Sequence, residues 1–204
     1  MNVEIINTGS ELMLGRVLNT HQQWLCRRLA DLGHVVTRQV AIADVAGEIQ
    51  QAVREALGRA DLVITTGGLG PTSDDITREL IAEMLGKKLV ENAAVRAHID
   101  ERFAKRGWPR PAGTNVENFV PEGALVFLNA FGTAPGLAIK IEDGRWKMED
   151  GGAALQPTSN LQPPFSPPKK WLIMLPGPPR ELRPMFDLQI VPLIRREFAQ
   201  EIFV

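Results

Sequence analysis

The sequence predicts an α/β fold, built on a mostly parallel sheet with helices on both faces. Three observations predict it. Short β-branched apolar runs alternate with stretches in which apolar residues recur at helical spacing, and glycine turns punctuate the changes. One of those turns, Gly67-Gly68-Leu69-Gly70-Pro71, joins the run Leu62 to Thr66 to a helix marked by Ile76, Leu80 and Met84. Strands and helices alternating this regularly make parallel pairs, and ligands of such sheets gather beyond the carboxyl ends of the strands.

The elements follow in order. Val3 to Asn7 reads as the first strand, broken by Thr8-Gly9-Ser10-Glu11-Leu12. A helix from about Thr20 to Leu32 carries the stripe Leu25, Leu29, Leu32 and ends at Gly33. Val35 to Val40 is the second strand, Asp44 lies in the loop after it, and Ile49, Val53 and Leu57 mark a helix that stops at Gly58. The central strand, Leu62 to Thr66, and its helix close at Gly86. Ala93 to Lys105 is a mostly polar helix ended by Pro109 and Pro111, and the chain from Asn115 reads as loop. Leu125 to Leu128 and Leu137 to Ile141 are strands around Ala130-Phe131-Gly132-Thr133-Ala134-Pro135-Gly136, whose simplest reading is a hairpin with a wide turn. Residues 142–170 hold five prolines and little apolar content, an excursion between two paired strands of a single domain covering 1–204. Trp171 to Leu175 is a buried strand. Pro176-Gly177-Pro178-Pro179 then leads into a helix opened by Arg180 and Glu181, which Pro184 and Pro192 keep in pieces. Glu201 to Val204 reads as a strand-like apolar tail, an odd natural terminus, so either an artificial boundary or a missing following domain is expected.

Composition narrows the function. Hydrophobic residues at 44% and charged residues at 23% are ordinary globular values, which excludes disorder of the whole chain. A net charge of -1 argues against a nucleic-acid surface. No apolar run approaches the roughly 20 residues a membrane helix needs, so no membrane partner is expected. Cys26 is the single cysteine, which rules out an internal disulfide and fits a reducing, cytoplasmic setting. It lies with Trp24, Leu25 and Leu29 and reads as core. His21, His34 and His98 are scattered without metal-ligand spacing and read as surface or helix-flanking residues.

The chemistry concentrates at the central turn. A glycine turn that opens a helix leaves amide N–H groups free at the positive end of the helix dipole, where a phosphate can settle. Asp74 and Asp75 stand at the same turn. Carboxylates beside a phosphate repel it unless a cation lies between, so the pair points to a divalent metal of the oxygen-loving kind. The competing reading is that Thr72 to Asp75 only cap the following helix, and the usual glycine-rich nucleotide fingerprints do not match.

Four motifs carry a resemblance that covers nearly the whole chain. Gly9-Ser10-Glu11-Leu12-Met13-Leu14-Gly15, Thr66-Gly67-Gly68-Leu69-Gly70-Pro71-Thr72-Ser73-Asp74-Asp75-Ile76-Thr77, Gly132-Thr133-Ala134-Pro135-Gly136 and Leu175-Pro176-Gly177-Pro178-Pro179-Arg180-Glu181 resemble, in order, those of the N-terminal domain of the competence/damage-inducible CinA family. That domain is itself similar to the molybdopterin-binding domains of molybdenum-cofactor biosynthesis. The resemblance implies a three-layer α/β/α domain that binds a phosphorylated nucleotide or pterin beside Gly67 to Thr72. It implies ADP-ribose pyrophosphatase activity with a divalent metal (Mg, Mn or Co), and a homo-oligomer. The alternative is a non-catalytic molybdopterin- or nucleotide-binding domain, or adenylyl transfer to molybdopterin. A nicotinamide-mononucleotide deamidase domain follows in full-length relatives, and its activity is expected to be absent here.

On this reading Asp74 and Asp75 are catalytic and hold the metal with Asp44. Gly9, Ser10, Glu11, Thr66, Gly67, Gly68, Gly70 and Thr72 meet the ligand and its phosphate. Gly132, Thr133, Gly177 and Glu181 meet its other end. Two departures from the family pattern stand out: His21 replaces an Asn, and Val116 and Glu117 replace a Lys-Gln pair. The lost lysine removes charge that would offset a pyrophosphate in the transition state.

Overall fold

The computed structural model describes residues 1–141 and 170–198. The proline-rich excursion and the tail from Glu201 lie outside the described residues. Strands β1 (Asn2–Thr8), β2 (Val35–Ile42), β3 (Leu62–Thr66), β6 (Leu125–Phe127), β7 (Gly136–Ile141) and β8 (Lys170–Leu175) form one sheet in the order β2-β1-β3-β8-β7-β6. The pairs β1–β2, β1–β3 and β3–β8 are parallel, and β7–β8 and β6–β7 are antiparallel. The sheet is therefore mostly parallel, as expected. The strands flanking the excursion do pair, with Ile141 opposite Lys170, and the 130–136 segment closes the β6–β7 hairpin.

The two faces can be read from single strands because side chains alternate along them. In β3, Leu62 and Ile64 point to one layer and Val63 to the other; in β8, Trp171, Ile173 and Leu175 oppose Leu172 and Met174. The first layer holds α2 (Thr20–Asp31) through Leu25 and Leu29, with α6 (Pro179–Met185) and α7 (Val191–Glu197) beside it. Trp24 meets Phe186 edge-to-face with centroids 5.6 Å apart, an arrangement that aromatic quadrupoles favour. Across the sheet, α3 (Ala46–Arg59) presents Ile49, Val53 and Leu57, α4 (Thr77–Met84) presents Ile81, and α5 (Ala93–Lys105) presents Val95 and Ile99. Glu4 is buried on that second face and is held by Arg59 through two hydrogen bonds of 2.9 and 3.0 Å. The result is a three-layer α/β/α fold.

Several expected elements differ. The segment from Asn115 is not loop: residues 112–118 form a 3₁₀ turn, and β5 (Phe119–Pro121) pairs antiparallel with β4 (Leu89–Glu91). A three-residue strand is too short for alternation to show. Thr20 to Leu32 forms a helix that ends at Asp31, and Gly33 with φ +80° turns the chain away. Pro184 and Pro192 do leave the last helix in pieces, but the pieces abut. A π-helical turn, Phe186–Ile190, joins α6 to α7 without a loop. Short α1 (Ser10–Met13) follows β1.

Candidate functional site

The loops after β2, β1, β3 and β8, and the turn before β7, meet at one edge of the sheet and enclose a cavity of about 660 Å³. The antiparallel direction of β7 brings its amino end to the same edge as the carboxyl ends of its parallel neighbours. Gly9, Glu11 and Asp44 line one end of the cavity; Thr66, Gly67, Gly68, Gly70, Asp74 and Asp75 line its middle; Gly132, Thr133, Gly177 and Glu181 line the far end. The fold thus brings together residues spread over most of the chain.

The glycine turn depends on backbone freedom. Gly68 has φ +67°, and a Cβ there would lie 2.0 Å from the Thr77 hydroxyl oxygen. The Thr77 amide donates to the Gly68 carbonyl at 3.1 Å, so the turn folds back on the start of α4. Buried polar groups brace it from below: the Asn7 amide donates to the Thr66 hydroxyl at 2.7 Å, and the guanidinium of Arg78, 1% exposed, donates to the Leu69 carbonyl at 3.2 Å. One expectation is corrected. The Gly67 N–H donates to the Leu175 carbonyl at 3.0 Å, a continuation of the β3–β8 ladder, so it is not free for a phosphate.

Asp74 and Asp75 are joined through Thr72. The Thr72 hydroxyl lies 2.5 Å from a carboxylate oxygen of each, and the Thr72 amide donates to Asp75 at 3.1 Å. The hydroxyl beside Asp74 holds its carboxyl below the usual carboxylate range, which keeps it ionised. Thr72 itself does not line the cavity, because its side chain is engaged with the two carboxylates. Ser10 is also turned to an internal partner: its amide and hydroxyl donate to Asp44 at 2.8 and 3.2 Å.

That engagement bears on the metal. Among the described residues no three acidic, histidine or cysteine side chains gather closely enough to hold an ion. The expected trio of Asp44, Asp74 and Asp75 is therefore not assembled, since Asp44 is tied to Ser10 at the β1–β2 end. The adjacent pair Asp74 and Asp75 does suit a hard cation that takes one or two carboxylates and completes its shell with water and substrate phosphate.

The far end is organised by Asn129, 1% exposed, which the sequence reading passed over. Its amide nitrogen donates to the Ala134 carbonyl and to Glu181 at 2.9 and 2.8 Å, and its oxygen accepts the amides of Phe131 and Gly132 at 3.0 and 2.8 Å. Gly132 is required for close packing: a Cβ there would lie 2.1 Å from a Glu181 oxygen. Its N–H and one Glu181 oxygen are thus committed to Asn129. Asn in a turn rich in Gly and Pro was the available signal.

Glu117 is the second residue the motifs did not pick out as functional. It is 0% exposed yet borders the cavity, and it accepts the Thr133 hydroxyl at 3.0 Å through one oxygen. Its other oxygen is buried without a partner. Burial pushes its carboxyl up to about 7, against the pull of the Thr133 hydrogen bond and the charges of Arg78 and Arg110, with Asp75 adding to the rise. A group poised near neutrality can hold or release a proton under ordinary conditions.

The histidines are expected from sequence at the surface or flanking helices: His34 flanks the end of α2, and His21 and His98 are half-buried. His34 is buried, the His98 Nε2–H donates to the Asn129 carbonyl at 2.8 Å, and His21 lines the cavity with Nε2 2.5 Å from the Gly177 carbonyl. Burial first, then the nearby Arg183 charge, lowers the His21 pKa despite the raising effect of the Gly177 bond, which favours the neutral ring that donates to this carbonyl. Cys26 is half-buried and packs at the margin of the first layer, not inside the core as expected, and it receives a hydrogen bond from Gln39. No helix among the described residues is long and apolar enough to cross a membrane.

Comparison with known proteins agrees with this architecture. The family model described as "Probable molybdopterin binding domain" matches residues 4–196. A CinA-like protein of Kosmotoga olearia is 40% identical over 96% of the chain, and a putative competence-damage inducible protein of Caldicellulosiruptor saccharolyticus is 38% identical over 100% of it. The chain spans 41% and 43% of the lengths of these two relatives. Among solved structures, CinA of Thermoplasma acidophilum, described as of unknown function, superposes with a TM-score of 0.74 at 28% identity, covering 95% of this chain and 99% of that one. MoaB of Thermus thermophilus, a molybdopterin biosynthesis enzyme, superposes with a TM-score of 0.55 at 17% identity over 96% and 92% of the two chains, which shows a shared fold. On the family match and these relatives, the chain belongs to the CinA-like proteins of the molybdopterin-binding-domain family.

Proposed function

We propose that this chain hydrolyses a nucleotide pyrophosphate such as ADP-ribose to AMP and ribose 5-phosphate, assisted by Mg²⁺, Mn²⁺ or Co²⁺. The observation that supports it is the adjacent carboxyl pair Asp74–Asp75 on one wall of a nucleotide-sized cavity, beside the glycine turn and near the buried carboxyl of Glu117. Asp74 and Asp75 would hold the cation, which when bound neutralises phosphate charge and acidifies a water molecule. The amides of Gly68 and Gly70 cradle the phosphate. Glu117, with one oxygen fixed by Thr133 and the other unpartnered, accepts the proton of the attacking water. The anhydride P–O bond then breaks and AMP departs. Separation of the nucleotide products after incubation with ADP-ribose and each cation tests the reading: AMP accumulating with time supports it.

A second reading has its own support. Val116, where the CinA-type pattern has lysine, is apolar and 44% exposed, so it supplies no charge to a developing phosphorane. On this reading the domain binds a pterin or nucleotide without turning it over. Saturable nucleotide binding with no product after long incubation supports binding alone and excludes hydrolysis. Kinship also supports a homo-oligomer, which light scattering on the eluting protein tests; a monomeric mass overturns it.

A further inference from the structure

The cavity is electrically two-ended. Glu11, Asp44 and the Asp74–Asp75 pair lie beyond β1, β2 and β3, while Arg102, Arg106 and Arg180 lie at the side beyond β8 and β7. Strands β3 and β8, which lead into the Asp75 and Arg180 loops, are neighbours about 5 Å apart, and β7, which follows the 130–136 turn, is the next strand along.

Arg102 is half-buried, whereas Arg106 and Arg180 are exposed at the cavity rim. Arg102 is fixed from α5 by donating to the Ala130 and Phe131 carbonyls at 3.0 and 2.5 Å, which ties it to the cavity wall. Arg106 lies over the Trp108 ring, 5.5 Å from its centroid. Among the described residues neither has an ion-pair partner. Arg180 reaches Glu181 only at 3.7 Å, and the other Glu181 oxygen is taken by Asn129. Burial, then the charges of Arg106 and Arg180, make the Arg102 guanidinium harder to keep protonated, with Glu181 opposing them. Three cations facing one space with a single, shared carboxylate form a site that an anion completes.

We infer that Arg102, Arg106 and Arg180 form a second anion subsite, which takes the second phosphate of a ligand whose first phosphate lies at the Asp74–Asp75 end. Guanidinium groups suit this role because their donor fork matches phosphate oxygens and their charge persists at every working pH. The inference rests on the nucleotide reading above for the ligand's first phosphate, though the subsite itself does not. It assigns a substrate class: nucleotides bearing two phosphates over those bearing one.

The test has two arms. Calorimetric titration in Mg²⁺ compares adenosine 2′,5′-bisphosphate with AMP, on the wild type and on Arg106→Gln/Arg180→Gln, which spares Arg102 and its carbonyl contacts. The wild type is expected to bind the bisphosphate roughly tenfold or more tightly than AMP, and the double variant to bring that ratio close to one. Equal affinities in the wild type, or a ratio that survives in the double variant, overturn the subsite. In the second arm inorganic phosphate is titrated into protein with ¹⁵N-labelled arginine, and the side-chain Nε–H resonances are followed. Saturable shifts at Arg102, Arg106 and Arg180 are expected. Such shifts with no binding of either nucleotide would uphold the subsite and remove the nucleotide reading; no shift would remove the subsite.

Discussion

The carboxyl of Glu117 and the hydroxyl of Thr133 meet at 3.0 Å on the wall of the cavity, joining the 3₁₀ turn of residues 112–118 to the turn before β7. Thr133 satisfies one Glu117 oxygen and leaves the other buried without a partner. A charge in that position loses its hydration, which is the main reason its carboxyl is pushed up to about 7.

Stability should therefore depend on pH through Glu117. Its carboxyl titrates at the ordinary value of 4.5 when unfolded and at about 7 when folded. Between those values the folded chain holds a proton that the unfolded chain has lost, so stability falls as pH rises through this window and levels off above it. The full effect is roughly 3 kcal/mol. Glu117→Gln should match the wild type at pH 4 and exceed it at pH 8, as read by urea denaturation at both values.

Gly68→Ala should destabilise the fold by roughly 3 kcal/mol, combining a positive φ with a Cβ driven into the Thr77 hydroxyl. Urea denaturation measures it, and Gly58→Ala, where a Cβ meets nothing within 4 Å, serves as the comparison.

Asn129→Ala should cost roughly 3 kcal/mol, because it strands the Phe131 and Gly132 amides and one oxygen of buried Glu181. Asn129→Asp should not restore stability, since it cannot donate to Glu181 and sets a second carboxylate beside it. Thermal denaturation of both variants checks the order.

Some of these residues announce themselves in the sequence and others do not. The strand Leu62–Thr66 was readable because its β-branched residues run unbroken to a glycine, and the helices on both faces because their apolar spacing repeats. Strands β4 and β5 escaped notice at three residues each. At the site, the glycine turns and the Asp74–Asp75 pair are contiguous motifs and stood out. Asn129, Glu117 and Arg78 did not, because a polar residue reads as solvent-facing until the fold shows which ones it encloses. Nor could spacing reveal that Ser10 and Thr72 turn to Asp44, Asp74 and Asp75 instead of the cavity, or that the Gly67 amide completes a ladder with Leu175.

Cation-dependent release of AMP from ADP-ribose, compared between the wild type and Asp75→Asn, tests the central claim most directly. The substitution keeps the side chain's size and a hydrogen-bond acceptor for Thr72 while removing its charge. The account predicts turnover by the wild type and a loss of roughly hundredfold or more in a folded Asp75→Asn protein. Undiminished turnover by that variant, or no AMP from a wild type that binds the nucleotide, would contradict it.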